Sequence, residues 1–274
     1  MAHKDERRRR GQAPAYERLY GRHVIEEALG ARRRVLNRLL VKAGPPGADL
    51  GRLVDLARAA GVSVVETEPG RLAELAGGPE VGIQGAILEA GPLPELAGVA
   101  ELCAVAAPEP GKRVFVLLDG VEDPQNVGGI ARVLDAAGAA GLIMSRRRSP
   151  PLTPALARAS AGAIEWLPIA RVTNLVRALE DLKREGFWVV AADPEGDRDL
   201  WEMPDRLLQG DLVVVLGAEG RGLRPLVRAA VDHPVRIPMR GQVASPNVAT
   251  AGAVLLYELL RRNSPDSGGP ERAR

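Results

Sequence analysis

The chain has little from which to build a covalent or metal-based site. It has one cysteine, Cys103, which excludes an intrachain disulfide and a Cys-x-x-Cys metal site, and its three histidines, His3, His23 and His233, are too scattered to suggest one. No metal is expected. Aromatic residues are scarce too, with two Phe, three Tyr and three Trp. Stacking of bases on exposed rings therefore cannot be the main way of holding a nucleic acid, and any grip on one has to be electrostatic or made by the backbone. No segment approaches the roughly 20 apolar residues that span a bilayer, and the charged start MAHKDERRRRG is not followed by an apolar stretch of signal-peptide character. A reducing, cytoplasmic setting without membrane contact is the expectation.

What the chain does have is aliphatic bulk: 46% of its 274 residues are hydrophobic, mostly Ala, Val and Leu, enough to fill real cores. The net charge is +2, yet residues 1–40 hold 11 Lys/Arg against 5 Asp/Glu, which is +6 there and −4 for the remainder. The run Arg7 to Arg10 reads equally well as a solvated tail and as a phosphate-contacting arm.

Residues 1–15 read as a disordered basic tail. A small α/β domain over 16–90 follows: the helical face Val24, Ile25, Ala28, Leu29, then strand VLNRLLVKA, helix LGRLVDLARAAG, strand VSVVET, the short helical piece GRLAELAGG, and VGIQGAILEA. Residues 91–111 carry four prolines and read as a linker with at least one helical turn near Cys103. A second alternation spans 112–264: strand VFVLLDG, a helix opening near Gly128, strand GLIMS, the basic loop RRRSPPL, helix PALARASAG, strand IEWLPI, helix VTNLVRALEDLKREG, strands FWVVAAD and LVVVLG, helix LRPLVRAA, strand VRIPM and a last helix NVATAGAVLLYELLRR. Continuous apolar strands separated by helices imply a mostly parallel sheet covered on both faces, with ligands bound beyond the carboxyl ends of its strands. Residues 265–274 read as a disordered tail, and no internal repeat is visible.

Three segments of the second domain are candidates for chemistry. In LLDGVEDPQNVGGIARVLDAAG a strand delivers Asn126 into a turn, with Arg132 six residues on; the same residues are also an ordinary turn and cap. In LVVVLGAEGRGL a strand enters a turn with Gly217, Gly220 and Gly222, which let backbone approach a ligand closely. No Lys-Ser/Thr follows as in a phosphate loop, and Glu219 places a carboxylate where a phosphate would be repelled, so a neutral or cationic ligand fits better. In VRIPMRGQVASPNVATAGAVLLYELL a short strand ends at Ile237, Pro238 and Met239, and Ser245-Pro246-Asn247 lead into the last helix, where Ser245 is equally an ordinary N-cap.

Taken in order, DPQNVG…R, LGAEGRGL and IPM…SPNVATA…LLYE resemble the three motifs of the SpoU/TrmH methyltransferases. The stretch from RRRSPPL to FWVVAAD is similar throughout to the RlmB branch, which methylates a guanosine 2′-hydroxyl in the peptidyl-transferase region of 23S rRNA. LYGRHVIEEAL and VGIQGAIL look like that branch's substrate-binding domain, whose fold is that of a large-subunit ribosomal protein.

The resemblance implies a trefoil-knotted SPOUT α/β domain, S-adenosylmethionine as cofactor, RNA as partner, and a homodimer in which each site is finished by the partner. It implies Asn126, Arg132, Glu219, Ser245 and Asn247 as catalytic, with Arg132 acting on the 2′-hydroxyl. It also implies Leu216, Gly217, Gly222, Ile237, Met239 and Pro246 as the cofactor site, and Arg22, Gln84 and Arg146 to Arg148 as RNA contacts. Arginine, with a pKa of roughly 12.5 or more, is a poor general base, so Arg132 fits stabilisation of a developing alkoxide better than proton abstraction.

Three positions depart from the family pattern. Ile83 stands where a histidine is usual, Pro246 where a leucine is usual, with loss of a backbone donor, and Ala249 where a serine is usual. The competing readings are a tRNA enzyme, an antibiotic-resistance rRNA enzyme and a non-catalytic RNA-binding or assembly protein. A dehydrogenase or NTPase would place its Gly-rich loop near the first strand, where there is none.

Overall fold

The computed structural model describes residues 16–78, 83–106, 113–207, 210–243 and 245–263. Both terminal tails, 1–15 and 265–274, lie outside them. The chain divides into two compact units, 1–94 with 152–158, and 95–151 with 159–274.

In the first unit, β1 (Glu17–Tyr20), α1 (Arg22–Ala31), β2 (Leu36–Lys42), α2 (Ala48–Ala59), β3 (Ser63–Thr67), α3 (Pro69–Ala76) and β4 (Ala86–Ala90) follow one another. The strands form a mixed sheet in the order β1-β4-β2-β3, parallel only between β2 and β3. Leu40, Leu72 and Ile87 anchor its apolar cluster, and Ile83 packs against them. The one acidic residue of β4, Glu89, is buried and takes its counter-charge from Arg38 at 2.7 Å.

The second unit holds α4 (Val99–Val105), β5 (Val114–Asp119), α5 (Pro124–Ala136), β6 (Gly141–Ser145), β7 (Ile169–Val172), α7 (Leu175–Arg184), β8 (Trp188–Ala192), β9 (Arg198–Asp199), β10 (Leu212–Gly217), α8 (Pro225–Ala229), β11 (His233–Arg236) and α9 (Val248–Asn263); α6 (Pro154–Ala159), between β6 and β7 in sequence, belongs to the first unit except for its last residue. The seven strands lie in the order β7-β6-β5-β10-β8-β11-β9, and each described pairing is parallel. Residues of β5, β6, β7 and β10 are buried almost without interruption, as expected for strands covered on both faces. On one face Phe115 and Phe187 stack at 5.1 Å, inside a cluster that also takes in Val99 and Leu102 of α4. The segment read as a linker thus contributes a helix to this core.

Three readings of the sequence are corrected. The helix after β5 opens at Pro124 rather than near Gly128, because Asp123 caps it by accepting the Gln125 N–H at 2.9 Å and Pro124 occupies its first turn. Gly128 is a packing residue instead: a Cβ there would come within 2.5 Å of the Ala159 backbone. IEWLPI is not a strand; Ala161 and Gly162 adopt positive φ and lead into a 3-10 turn at Ala163–Glu165, and the strand starts at Ile169. The strand read as VRIPM is His233–Arg236, which leaves Ile237 to Met239 in the following loop.

No helix among the described residues is long and apolar enough to cross a membrane. His233 at the start of β11 buries its Nε2 with no partner among the described residues, and burial lowers its pKa from the usual 6.5. Below that value the unfolded chain binds a proton that the folded one resists, so stability falls as pH drops through the window beneath 6.5. Replacing His233 by Phe should make the melting temperature less steeply dependent on pH between about 7 and 5, as read by thermal unfolding at each pH; an unaltered slope would count against this assignment.

Candidate active site

The parallel register brings the strand ends level. Leu118 pairs with Leu216 and Asp119 with Gly217 across β5 and β10, and Leu118 pairs with Met144 of β6. The loops after these strands therefore leave one edge together.

After β10 the chain folds back on itself. Gly222 N–H donates to the Ala218 carbonyl at 2.9 Å, and Gly220 and Gly222 have φ of +72° and +62°, the left-handed region that glycine tolerates. Gly217 faces the returning strand so closely that a Cβ would sit 2.5 Å from the Gly222 carbonyl carbon. The far end of the turn is pinned by Asp119, whose fully buried carboxylate accepts the Arg224 N–H at 2.8 Å and its Nε at 2.5 Å.

A cavity of about 610 Å³ opens between this turn and the loop after β11. Leu216, Gly217, Gly222, Ile237, Met239 and Pro246 all line it, as do Glu219 and Ser245. Asp193, Asp199 and Arg236 also stand on its walls, although they are not among the residues named in the three motif segments. Arg236 pairs with Asp199 across the short β9–β11 contact. Asp193 is engaged, its two oxygens accepting from Arg228 Nε at 2.6 Å and from the Glu195 N–H at 2.9 Å. These are ordinary charged residues whose meeting is set by the strand order, and no local pattern marks them.

At the rim, three motif residues from three segments are joined by one side chain. Asn247 Nδ2 donates to Asn126 Oδ1 at 2.9 Å and to Glu219 Oε1 at 2.5 Å, while its Oδ1 accepts the Ala249 N–H at 2.9 Å. Asn247, not Ser245, therefore caps α9, and Pro246 stays ahead of the helix. Ala249 packs where a Cβ on Gly129 would come within 3.1 Å, so α9 lies close on α5.

Arg132 does not join the trio. Six residues along one helix amount to roughly 120° around its axis, and Arg132 is exposed with no ion pair or hydrogen bond among the described residues. In the first unit, Gln84 Oε1 accepts the Arg22 N–H at 2.8 Å at the start of α1, and the Arg22 guanidinium pairs with Asp49 at 2.6 Å. Arg146, Arg147 and Arg148 are exposed on the loop after β6.

A cavity of this size suits a small molecule. Its close-approaching glycine backbone and apolar walls fit a flat heterocycle, and its carboxylate fits a cation rather than a phosphate.

Comparison with known proteins gives these features a context. Residues 113–257 match the model of the SpoU rRNA Methylase family, and residues 18–95 match that of the RNA 2′-O ribose methyltransferase substrate-binding domain. The 23S rRNA (guanosine-2′-O-)-methyltransferase RlmB of Pseudomonas syringae is 35% identical over 248 residues, covering 90% of this chain and 96% of its own. YacO of Bacillus subtilis, named for the TrmH family of tRNA/rRNA methyltransferases, is 32% identical over 250 residues, 91% of this chain and 97% of its own. The structure of the SpoU methyltransferase AviRb from Streptomyces viridochromogenes superposes with a TM-score of 0.73 at 26% identity, covering 97% of this chain and 94% of AviRb; AviRb has also been solved with AdoMet.

Asn247→Ala should cost about 1 kcal/mol in chemical denaturation through loss of the cap, whereas Asn247→Ser, which keeps an oxygen there, should stay within a few tenths of the parent. Equal losses for the two would mean that the cap is not what the residue contributes to stability.

Proposed function

The chain belongs to the SpoU rRNA methylase family of S-adenosylmethionine-dependent RNA 2′-O-methyltransferases, and from that premise we propose that it methylates the ribose 2′-hydroxyl of a guanosine in the peptidyl-transferase region of 23S rRNA. The observation that carries this reading is the Asn247-centred trio at the rim of a cavity of cofactor size. The target is supported by similarity to RlmB over nine-tenths of the chain and by the substrate-binding domain at 18–95.

S-adenosylmethionine, when bound, supplies an activated methyl group on a sulfonium. Leu216, Gly217, Gly222, Ile237, Met239 and Pro246 would hold it, Pro246 offering apolar surface and a carbonyl but no N–H. Transfer to the ribose is an in-line displacement, so the protein's main task is to align the 2′-oxygen. Asn126, fixed through its Oδ1, keeps its Nδ2 hydrogens available to orient that oxygen, and Glu219 reaches both the rim and the cavity. Ser245 stands on the same wall.

Arg132, turned from the trio and unpaired among the described residues, fits a site completed in a homodimer, where its charge would stabilise the alkoxide that develops as the hydroxyl passes its proton to solvent water. Residues 237–239 and 245–246 line one cavity with the turn after β10, which is consistent with a trefoil-knotted core, an exception to the rule that chains do not knot.

Incubation with 23S rRNA and labelled cofactor, followed by mapping of 2′-O-methyl groups, should reveal one modified guanosine in the peptidyl-transferase region. Label confined to tRNA would overturn the target, and none on any RNA the activity. Arg132→Ala should lower turnover about 100-fold or more, with cofactor affinity within about twofold of the parent in calorimetry; near-normal turnover would remove the role given to it.

A further inference from the structure

The loop that leaves β6 carries three consecutive arginines, and its backbone is fixed by an unusual device. Arg171, on the neighbouring strand β7, is 6% exposed, and no carboxylate lies within ion-pair distance of it among the described residues. Its guanidinium points into the loop, where Nη1 donates to the Pro150 carbonyl at 2.8 Å and Nη2 to the Arg146 carbonyl at 3.3 Å. The Ser145 hydroxyl donates to the Arg147 carbonyl, and the Arg146 N–H donates to the Val172 carbonyl at 2.8 Å. Arg148 is held at φ +61°, a left-handed conformation that costs energy in a residue with a side chain.

Burying a guanidinium is expensive, and the hydrogen bonds that this one makes go to the carbonyls of a surface turn. Desolvation pulls the Arg171 pKa down, and its Nε finds no partner among the described residues. A loop that served only to connect β6 to α6 would need neither a buried cation nor a strained residue.

The side chains of Arg146, Arg147 and Arg148 are exposed and make no ion pair among the described residues. Ser145 follows Met144, which is level with Leu118 and, through it, with Leu216. The three guanidinium groups thus emerge on the edge that carries Asn126 and Glu219, two strand spacings or roughly 10 Å from β10. Guanidinium groups bind phosphate oxygens bidentately, and a chain with few aromatic residues has to hold RNA by such contacts.

We propose that Arg146, Arg147 and Arg148 form a preshaped clamp for the backbone phosphates flanking the methylated nucleotide, and that Arg171 is the positioning residue that holds the clamp in shape. The proposal rests on the RNA methyltransferase reading above. The clamp grips without reading bases, so it adds affinity and alignment and leaves the choice of nucleotide to other contacts.

The test is titration of a transcript of the peptidyl-transferase region of 23S rRNA by fluorescence anisotropy at salt concentrations from about 50 to 200 mM. Replacing the three loop arginines by Gln together is a surface change that leaves the core intact. It should lower the slope of log affinity against log salt by about two, at roughly 0.7 per phosphate contact to a single strand. S-adenosylmethionine affinity should stay within twofold of the parent. Arg171→Met keeps all three loop charges and should weaken RNA binding at least fivefold at unaltered cofactor affinity, with partial recovery in Arg171→Lys.

An unchanged slope and affinity in the triple variant would overturn the clamp, whatever Arg171→Met does. Parental RNA affinity in a folded Arg171→Met would overturn the positioning role. If the parent protein binds the transcript but transfers no methyl group, the catalytic reading fails and the slope still decides the clamp.

Discussion

Parallel strands have no choice about where their loops go. Once β5, β6 and β10 pair in the observed register, the segments after Asp119, Ser145 and Gly217 leave the sheet side by side, although about 100 residues separate the first from the last in sequence. The pairing needs no polar residue to direct it, because each strand is an apolar run buried on both faces. The chemistry of this protein is a consequence of that alignment: an amide-bearing helix start, a basic turn and a glycine turn are set on one edge by hydrophobic burial alone.

Fine positioning is then left to a few polar groups, each joining two or more segments. Asn247 ties the beginning of α9 to α5 and to the turn after β10, with three of its bonding positions occupied. Asp119 closes that turn from below, and Arg171 shapes the loop after β6. All three are side chains of ordinary type, and each holds at least one backbone group of another residue. Polar groups that bridge segments in this way specify one arrangement among several that burial would permit.

That division of labour explains what could be read in the sequence. Strands such as VFVLLD and LVVVLG announce themselves by composition, whereas Leu216, Gly217, Gly222, Ile237, Met239 and Pro246, which line the cavity, are marked in the sequence only through the family resemblance. Gly128 and Gly129 looked like the opening of a helix and turned out to be close-packing positions within one, since a glycine's neighbour cannot be known before the fold is. IEWLPI has strand composition but is preceded by two residues of positive φ, which divert the backbone into a tight turn. Arg132 follows Asn126 by six residues, and the helix that begins at Pro124 turns the two apart. Asp119, Asp193 and Asp199 carry no local mark, because their partners Arg224, Arg228 and Arg236 lie far along the chain.

The last helix is held at both ends. Asn247 fixes its start at the cavity rim, and near its other end Arg262 donates to the backbone carbonyls of Leu200 and Trp201, immediately after the cavity residue Asp199. Sixteen residues of helix, about 24 Å of rigid rod, therefore connect two walls of the same pocket. Shortening the chain by a few residues into that helix would do more than fray an end: it would release a brace, and the wall that carries Asp199 would lose its anchor.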